Sequence, residues 1–269
     1  MIHLIIFSRD RACQLDCLLR SIQKYTSDLF NISIIYKSSS EDFENSYSIL
    51  QKRFPEHSFH SEIDFQEQVL NLICQSVDHI AFSTDDTVIY RLIPLKTYGL
   101  LRSVLPNFDN ECFSFRLGLN TIIQNPHTGE LQPILNKYSK IRETIFWNCM
   151  LHHPLSNYGY PFAMDMHVYK KTLLEDLMFR FNFQNSNQLE SELFKYRYRV
   201  VFMSAFQQSV AVNVPINNLS QVTEISKHSY ALEDLNQRYL NNEIISLESF
   251  NENVIGCHQL FQLKFEKNE

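Results

Sequence analysis

The sequence predicts an α/β fold, with a central sheet and flanking crossover helices in its first part and a mixed α+β half behind it. Short apolar runs alternate with helix-period segments as far as Phe82. The runs Ile2 to Phe7 and Val77 to Phe82 have the length of buried strands. The chain has 269 residues, is 44% hydrophobic and carries 21 Phe and 13 Tyr, enough to fill one large core. We therefore expect a single domain, with residues 1–105 as one half and 106–269 as the other.

Ile2 to Phe7 opens the chain as a strand. Leu15, Leu18, Leu19 and Ile22 then recur at helical spacing, predicting a helix over residues 11–24. Ile32 to Tyr36 is the second strand, followed by a helix over 42–53, a short strand over 57–61 and a helix carrying Phe65, Val69, Leu72 and Ile73. Val77 to Phe82 is the next buried strand. Beyond it the pattern mixes: a helix over Pro94 to Val104, strands at Cys112 to Phe115 and Thr144 to Trp147, and a polar connection with Pro126, Gly129 and Pro133. A helix with Leu173, Leu174, Leu177, Met178 and Phe181 follows, and another starts near Asn187. A strand over 208–214 and a helix over 230–241 close the pattern, with a frayed tail after Phe265.

A net charge of −6 without a dense Lys/Arg run offers no footprint for a phosphate backbone, so no nucleic-acid partner is expected. The N-terminus has no basic leader, and no run is long enough to span a bilayer, which leaves at most peripheral membrane contact. Six cysteines without a CxxC pair read as reduced thiols of a cytoplasmic protein. A zinc site drawn from Cys13, Cys17, His152, His153 and His258 lacks zinc-finger spacing. The oligomeric state is unconstrained.

Ser83-Thr84-Asp85-Asp86 ends the fourth predicted strand, and open α/β sheets bind ligands at the carboxyl ends of their strands. Two carboxylates there suit a hard cation acting as a Lewis acid. A turn or cap with solvated charges is the alternative. Arg9 and Arg11, just after the first strand, are placed to meet a diphosphate, or are surface cations on a turn; Asp10 is a candidate cap for the first helix.

The segments Ser8-Arg9-Asp10-Arg11, Gln14-Leu15, Leu18-Leu19-Arg20-Ser21-Ile22 and Phe82-Ser83-Thr84-Asp85-Asp86 together resemble family 2-type glycosyltransferases of bacteria. The resemblance implies a GT-A-like, Rossmann-type sheet and transfer of a sugar from a nucleoside-diphosphate sugar, UDP-type, to a glycan, lipid or other hydroxyl acceptor in surface polysaccharide synthesis. It implies nucleotide contacts from the loop after the first strand, at Ser8, Arg9 and Arg11. It also implies Mn²⁺ or Mg²⁺ on a DxD-like motif at Asp85 and Asp86, with Asp85 also touching the donor, and Thr84 standing where the first acid is expected.

Tyr160 to Tyr169, Asn187 to Glu190 and Asn213 to Asn217 extend the resemblance. It sets Asp165 and His167 beside donor sugar or acceptor and makes Glu190 a candidate base. Met166 stands where Gly is usual and Ser186 where Pro is usual. Asp165 is alternatively a solvent-facing strand residue, and Asn187 with Glu190 alternatively a capping box. Ser38 is a candidate base contact or plain loop, and Glu62 and Asp64 are candidate contacts to base or ribose, with Asp64 alternatively a helix cap. His228 is a candidate third metal ligand or a solvated His; Trp147 is a sugar platform or a core residue. One base candidate leans toward inversion at the anomeric carbon.

Two rivals remain. A sugar-phosphate nucleotidyltransferase would need a Gly-rich N-terminal loop, whereas the chain has five Gly and none before Gly99. A noncatalytic carbohydrate- or nucleotide-binding protein of the same fold is kept open by Thr84 and Met166.

Overall fold

The computed structural model describes residues 1–93, 105–126, 128–217, 230–250 and 253–268. Its strands are β1 (Ile2–Arg9), β2 (Phe30–Lys37), β3 (Ser58–Ser61), β4 (His79–Thr84), β5 (Thr87–Ile89), β6 (Glu111–Ser114), β7 (Ile123–Asn125), β8 (Glu130–Leu131), β9 (Ser139–Ile141), β10 (Thr144–Asn148), β11 (His167–Lys170), β12 (Phe202–Phe206), β13 (Ala211–Asn213), β14 (Glu243–Ile245) and β15 (Phe265–Lys267). The α-helices are α1 (Ala12–Tyr25), α2 (Glu41–Arg53), α3 (Phe65–Gln75), α4 (Lys171–Met178), α5 (Ser186–Lys195) and α6 (Leu232–Leu240). The helix expected over Pro94 to Val104 lies outside the described residues.

Nine strands form one mixed sheet in the order β3-β2-β1-β4-β11-β6-β12-β10-β9. The first four in that order are mutually parallel; β11 runs against both β4 and β6, and β12 is parallel to β6. Alternation along β1 explains its unbroken apolar run. Ile2, Leu4 and Ile6 enter one core with α1, α2 and α6, while Ile5 and Phe7 enter a second with α3, α4 and α5. Each such side chain, once fully buried, is worth about 1.5–3 kcal/mol. The structure is thus a mixed α/β sheet flanked by helices on both faces.

Several expectations are corrected. The tail after Phe265 is not frayed: β15 pairs with β14, and the Arg238 guanidinium lies over the Phe265 ring. α4 ends at Met178, leaving Phe181 outside it. The strand expected over 208–214 is only β13, and β12 before it escaped notice because Ser204 interrupts its apolar run. Asp10 does not cap α1; its Oδ1 accepts from the Ser39 amide at 2.6 Å and ties the loops after β1 and β2 together. Trp147 is core, 2% exposed, donating its indole N–H to the Tyr158 carbonyl.

Candidate active site

Register assembles the site. His167 on β11 faces Phe82 on β4 and Ser114 on β6. Continuing both ladders beyond His167 sets Asp165 between Thr84 and Arg116, and side chains directly opposite in neighbouring strands share a face. They meet accordingly: Thr84 Oγ1 lies 2.8 Å from Asp165 Oδ1, and Arg116 Nη1 3.5 Å from Asp165 Oδ2. Because β11 is antiparallel, its amino end reaches the same edge as the carboxyl ends of β1 and β4.

On the β1 side, Ser8 Oγ and the Arg11 amide both bond the buried Tyr47 hydroxyl, at 2.6 and 3.1 Å. This turns the Arg11 guanidinium inward, 3.2 Å from Asp85 Oδ1 and 3.7 Å from Asp86 Oδ2, with a further bond to the Asn217 carbonyl. Asp85 also accepts from the Arg9 amide at 3.2 Å, so both its oxygens are engaged. Burial pushes its carboxyl up to about 6, against the pull of Arg11. Asp86 is raised by burial too, with Arg11 opposing and Asp165 adding to the rise. The Arg9 side chain, 62% exposed, lies 3.9 Å from Asp10.

On the far side two acids diverge. Burial pushes the Asp165 carboxyl up, but Arg116 and His258, with bonds from Thr84 and Asn213, outweigh it and hold Asp165 below the usual range. Glu190 is pushed up to about 7 by burial and by the Asp165 charge, with Arg116, the Tyr160 hydroxyl and the Met164 amide only partly offsetting this. Its capping reading is corrected. The cap of α5 is Asn185, whose Oδ1 accepts from the Gln188 amide at 3.0 Å, while Gln188 Oε1 accepts from the Gln184 amide. Glu190 therefore stands beyond the first turn, free of the helix end and facing Asp165. Two neighbouring acids with separated affinities are the pattern of an acid/base pair.

His167 is fully buried, its Nδ1 bonded to the Pro161 carbonyl at 2.9 Å, and burial with the Arg116 charge lowers it to about 3, so it stays neutral. Three other candidates make local bonds. Ser38 donates to Glu44, Glu62 pairs with Lys37 at 2.6 Å, and Asp64 caps α3 through the Glu67 amide. His228 lies outside the described residues. Sequence reasoning missed Arg116, whose only signal was a charge between the apolar Phe115 and Leu117. It also gave no role to Asn213, which donates to Asp86 at 3.3 Å and Thr87 at 3.1 Å.

Met166, next to Asp165, has φ 56, the left-handed region that the usual Gly would occupy freely. It is held there by its amide on the Phe82 carbonyl at 2.7 Å and its carbonyl on the Phe115 amide at 3.0 Å, with the side chain packed in the core. Truncation to Ala keeps the strained φ and opens a cavity, whereas Gly opens the cavity but removes the strain. In urea unfolding, Met166→Gly is expected to be about 0.5–1 kcal/mol more stable than Met166→Ala, reversing the usual order, with both below the wild type.

Among the described residues no group of three or more His, Cys, Asp or Glu side chains is arranged to hold a metal. The acids fit a cation only in a shared site. Asp85 is spent on Arg9 and Arg11, its side chain 4% exposed, while that of Asp86 is 20% exposed. Mg²⁺-type ions commonly take one or two protein carboxylates and complete their shell with phosphate and water.

No protein-family model matches the chain. A bifunctional glycosyltransferase, pgtA of Dictyostelium discoideum, is 25% identical to it over 96% of its length, and the chain spans 38% of that protein. Among solved structures, residues 1–349 of S. aureus TarS in complex with UDP superpose with a TM-score of 0.51 at 13% identity, covering 78% of this chain and 59% of that one. The same TarS fragment without UDP gives 0.50 at 14% identity over the same shares. In sequence the chain is glycosyltransferase-like, and the TarS superpositions agree in fold.

Proposed function

We propose that this protein is a GT-A-type glycosyltransferase that takes a sugar from a UDP-type nucleotide sugar and passes it to a hydroxyl of a glycan such as a surface polysaccharide. The observation that carries the reading is the pair Asp165 and Glu190, one held ionised and the other at about 7, beside Arg11, Asp85 and Asp86 at the carboxyl edge of the sheet. The likeness to pgtA supports the chemistry, and the UDP bound by TarS supports the class of donor. Residues 1–105 serve as the nucleotide half and the remainder as the acceptor half. Free thiols at all six cysteines suit a cytoplasmic setting, and no helix among the described residues is long and apolar enough to cross a membrane.

In this mechanism Glu190 takes the proton of the acceptor hydroxyl. The freed oxygen pair bonds to the anomeric carbon as the bond from that carbon to the diphosphate oxygen breaks, and its electrons leave with the nucleotide. A single base suits inversion. Asp165, fixed by Arg116 and Thr84, orients the sugar or acceptor hydroxyls. Arg9 reaches from the rim toward the diphosphate, and Ser8 and Arg11 shape the loop that receives it. A divalent cation held by Asp86 would supply Lewis-acid stabilisation of the leaving diphosphate.

Donor binding to the folded state must raise the melting temperature. A panel of UDP-, GDP-, CMP- and dTDP-sugars, each with Mn²⁺ or EDTA, is expected to give a Mn²⁺-dependent rise with UDP-sugars that Asp86→Asn removes. No rise with any nucleotide sugar would sink the reading. Arg11 seated between Asp85 and Asp86 favours one other reading, nucleotide binding without transfer, and it predicts a rise without turnover.

A further inference from the structure

Thr84 occupies the position where the resemblance leads one to expect an acid, and its hydroxyl contacts two carboxylates: Asp86 Oδ1 at 2.7 Å and Asp165 Oδ1 at 2.8 Å. A hydroxyl carries one hydrogen. When it is given to one carboxylate, the other faces an oxygen lone pair. Asn213 Nδ2, 3.4 Å from Thr84 Oγ1 and 3.3 Å from Asp86 Oδ1, donates to Asp86 and also supports Asp165, and the Thr84 hydroxyl hydrogen remains to be divided between the two acids. The arrangement is a two-state element, and whatever alters the charge on one acid alters the other.

We infer that Thr84 is a relay between the two sides of the site: when a cation or diphosphate group at Asp86 takes up that carboxylate's charge, the Thr84 hydrogen turns to Asp165, and the weakened Asp165 field readies Glu190 to ionise. This rests on the proposed reading of the site, with the donor at Asp86 and the acceptor at Glu190. Its consequence is order, the base being armed once the donor side is filled.

Among the described residues the groups facing Glu190 are Asp165 before β11, Arg116 after β6, Tyr169 on β11 and Tyr160. Asp165 faces in addition Asp86, His258, His167 and Cys257. Burial raises the two tyrosines and Cys257 and lowers His167, so none of these changes charge near neutrality. The midpoint observed must therefore be assigned to Glu190 itself and kept apart from His258.

The test is a double-mutant cycle read on Glu190. Its side-chain ¹³C carboxyl signal, identified by its loss in Glu190→Gln, is titrated in the intact protein with EDTA and no nucleotide. In the wild type, Asp86→Asn mimics a discharged Asp86 and is expected to lower the Glu190 midpoint by about 0.5–1 pH unit. In the Thr84→Val background the same change should lower it by less than half as much, while Thr84→Ser, which keeps the hydroxyl, should behave as the wild type. Thr84→Ala serves if the valine variant does not fold. Equal shifts with and without the hydroxyl would overturn the relay, since the field would then act directly through space. A relay found in a protein that binds no nucleotide sugar would leave the coupling standing and the donor assignment overturned; the reverse result would remove the relay alone.

Discussion

Glu190→Gln is expected to lower kcat by about 100- to 10,000-fold while leaving the thermal shift given by donor and Mn²⁺ intact. A glutamine keeps the size of the side chain and can still meet the Tyr160 hydroxyl, but it cannot take a proton. The wild-type rate should rise with pH through about 7, where Glu190 loses its proton, and the residual activity of the variant should lack that limb. The sign of the linkage argues against loss of folding as the cause. Glu190 holds its proton more tightly folded, at about 7, than unfolded, at about 4.3. Its contribution to stability is therefore full below about 4.3 and is lost as pH rises through 7, when a buried charge forms beside Asp165. Above pH 7 the variant carries no such charge and should melt no lower than the wild type. A variant that turns over at the wild-type rate at pH 8 would remove Glu190 as the base and redirect attention to Asp165.

Much of the fold was legible because its signals are local. The alternation in β1, the helical stripe of α1 and the apolar runs of β2 and β4 each lie within one short window, and each element appears where its window falls. What was not legible depends on partners distant in the chain. β12 has little pattern of its own and is a strand because β6 and β10 flank it. The pairing of β15 with β14 gives order to a charged tail that composition marks as frayed. The same division runs through the site. The acids Asp85, Asp86, Asp165 and Glu190 stood out by residue type and by position after predicted elements. Arg116, which joins Asp165 to Glu190, is brought in by the β6–β11 register alone. Ser38, Glu62 and Asp64 stand out at strand ends, and the local partner each one has is set by side-chain geometry that sequence does not display. Met166 shows the limit most directly: its type argues against a left-handed backbone, and two hydrogen bonds and a packed core impose one.

A second large effect is expected away from the site, at Asp16. This carboxylate on α1 is wholly buried, bonded to Arg20 Nε at 2.6 Å, Arg53 Nη1 at 2.5 Å and the Tyr239 hydroxyl at 3.2 Å. Arg20 also donates to the Ile245 carbonyl at 2.5 Å. One acid thus ties together α1, α2, α6 and β14, elements separated by more than half the chain, on the face of the sheet that supports the Arg11 loop. Asp16→Ala takes the shared carboxylate from two largely buried guanidinium groups and leaves Arg20 to the half-exposed Glu266 at 3.9 Å, the costly way to break such a network. The expected loss in unfolding free energy is about 3–5 kcal/mol, and for a domain of this size the melting temperature should fall by roughly 6–20 °C. Asp16→Asn keeps the shape and a carbonyl acceptor, so it should cost less than alanine but still more than a surface substitution. Because the damage is global, donor affinity measured well below the melting point should change little in either variant. A loss under about 1 kcal/mol for Asp16→Ala would mean that water reaches both arginines, and that the network is an exposed ion pair of the weak kind.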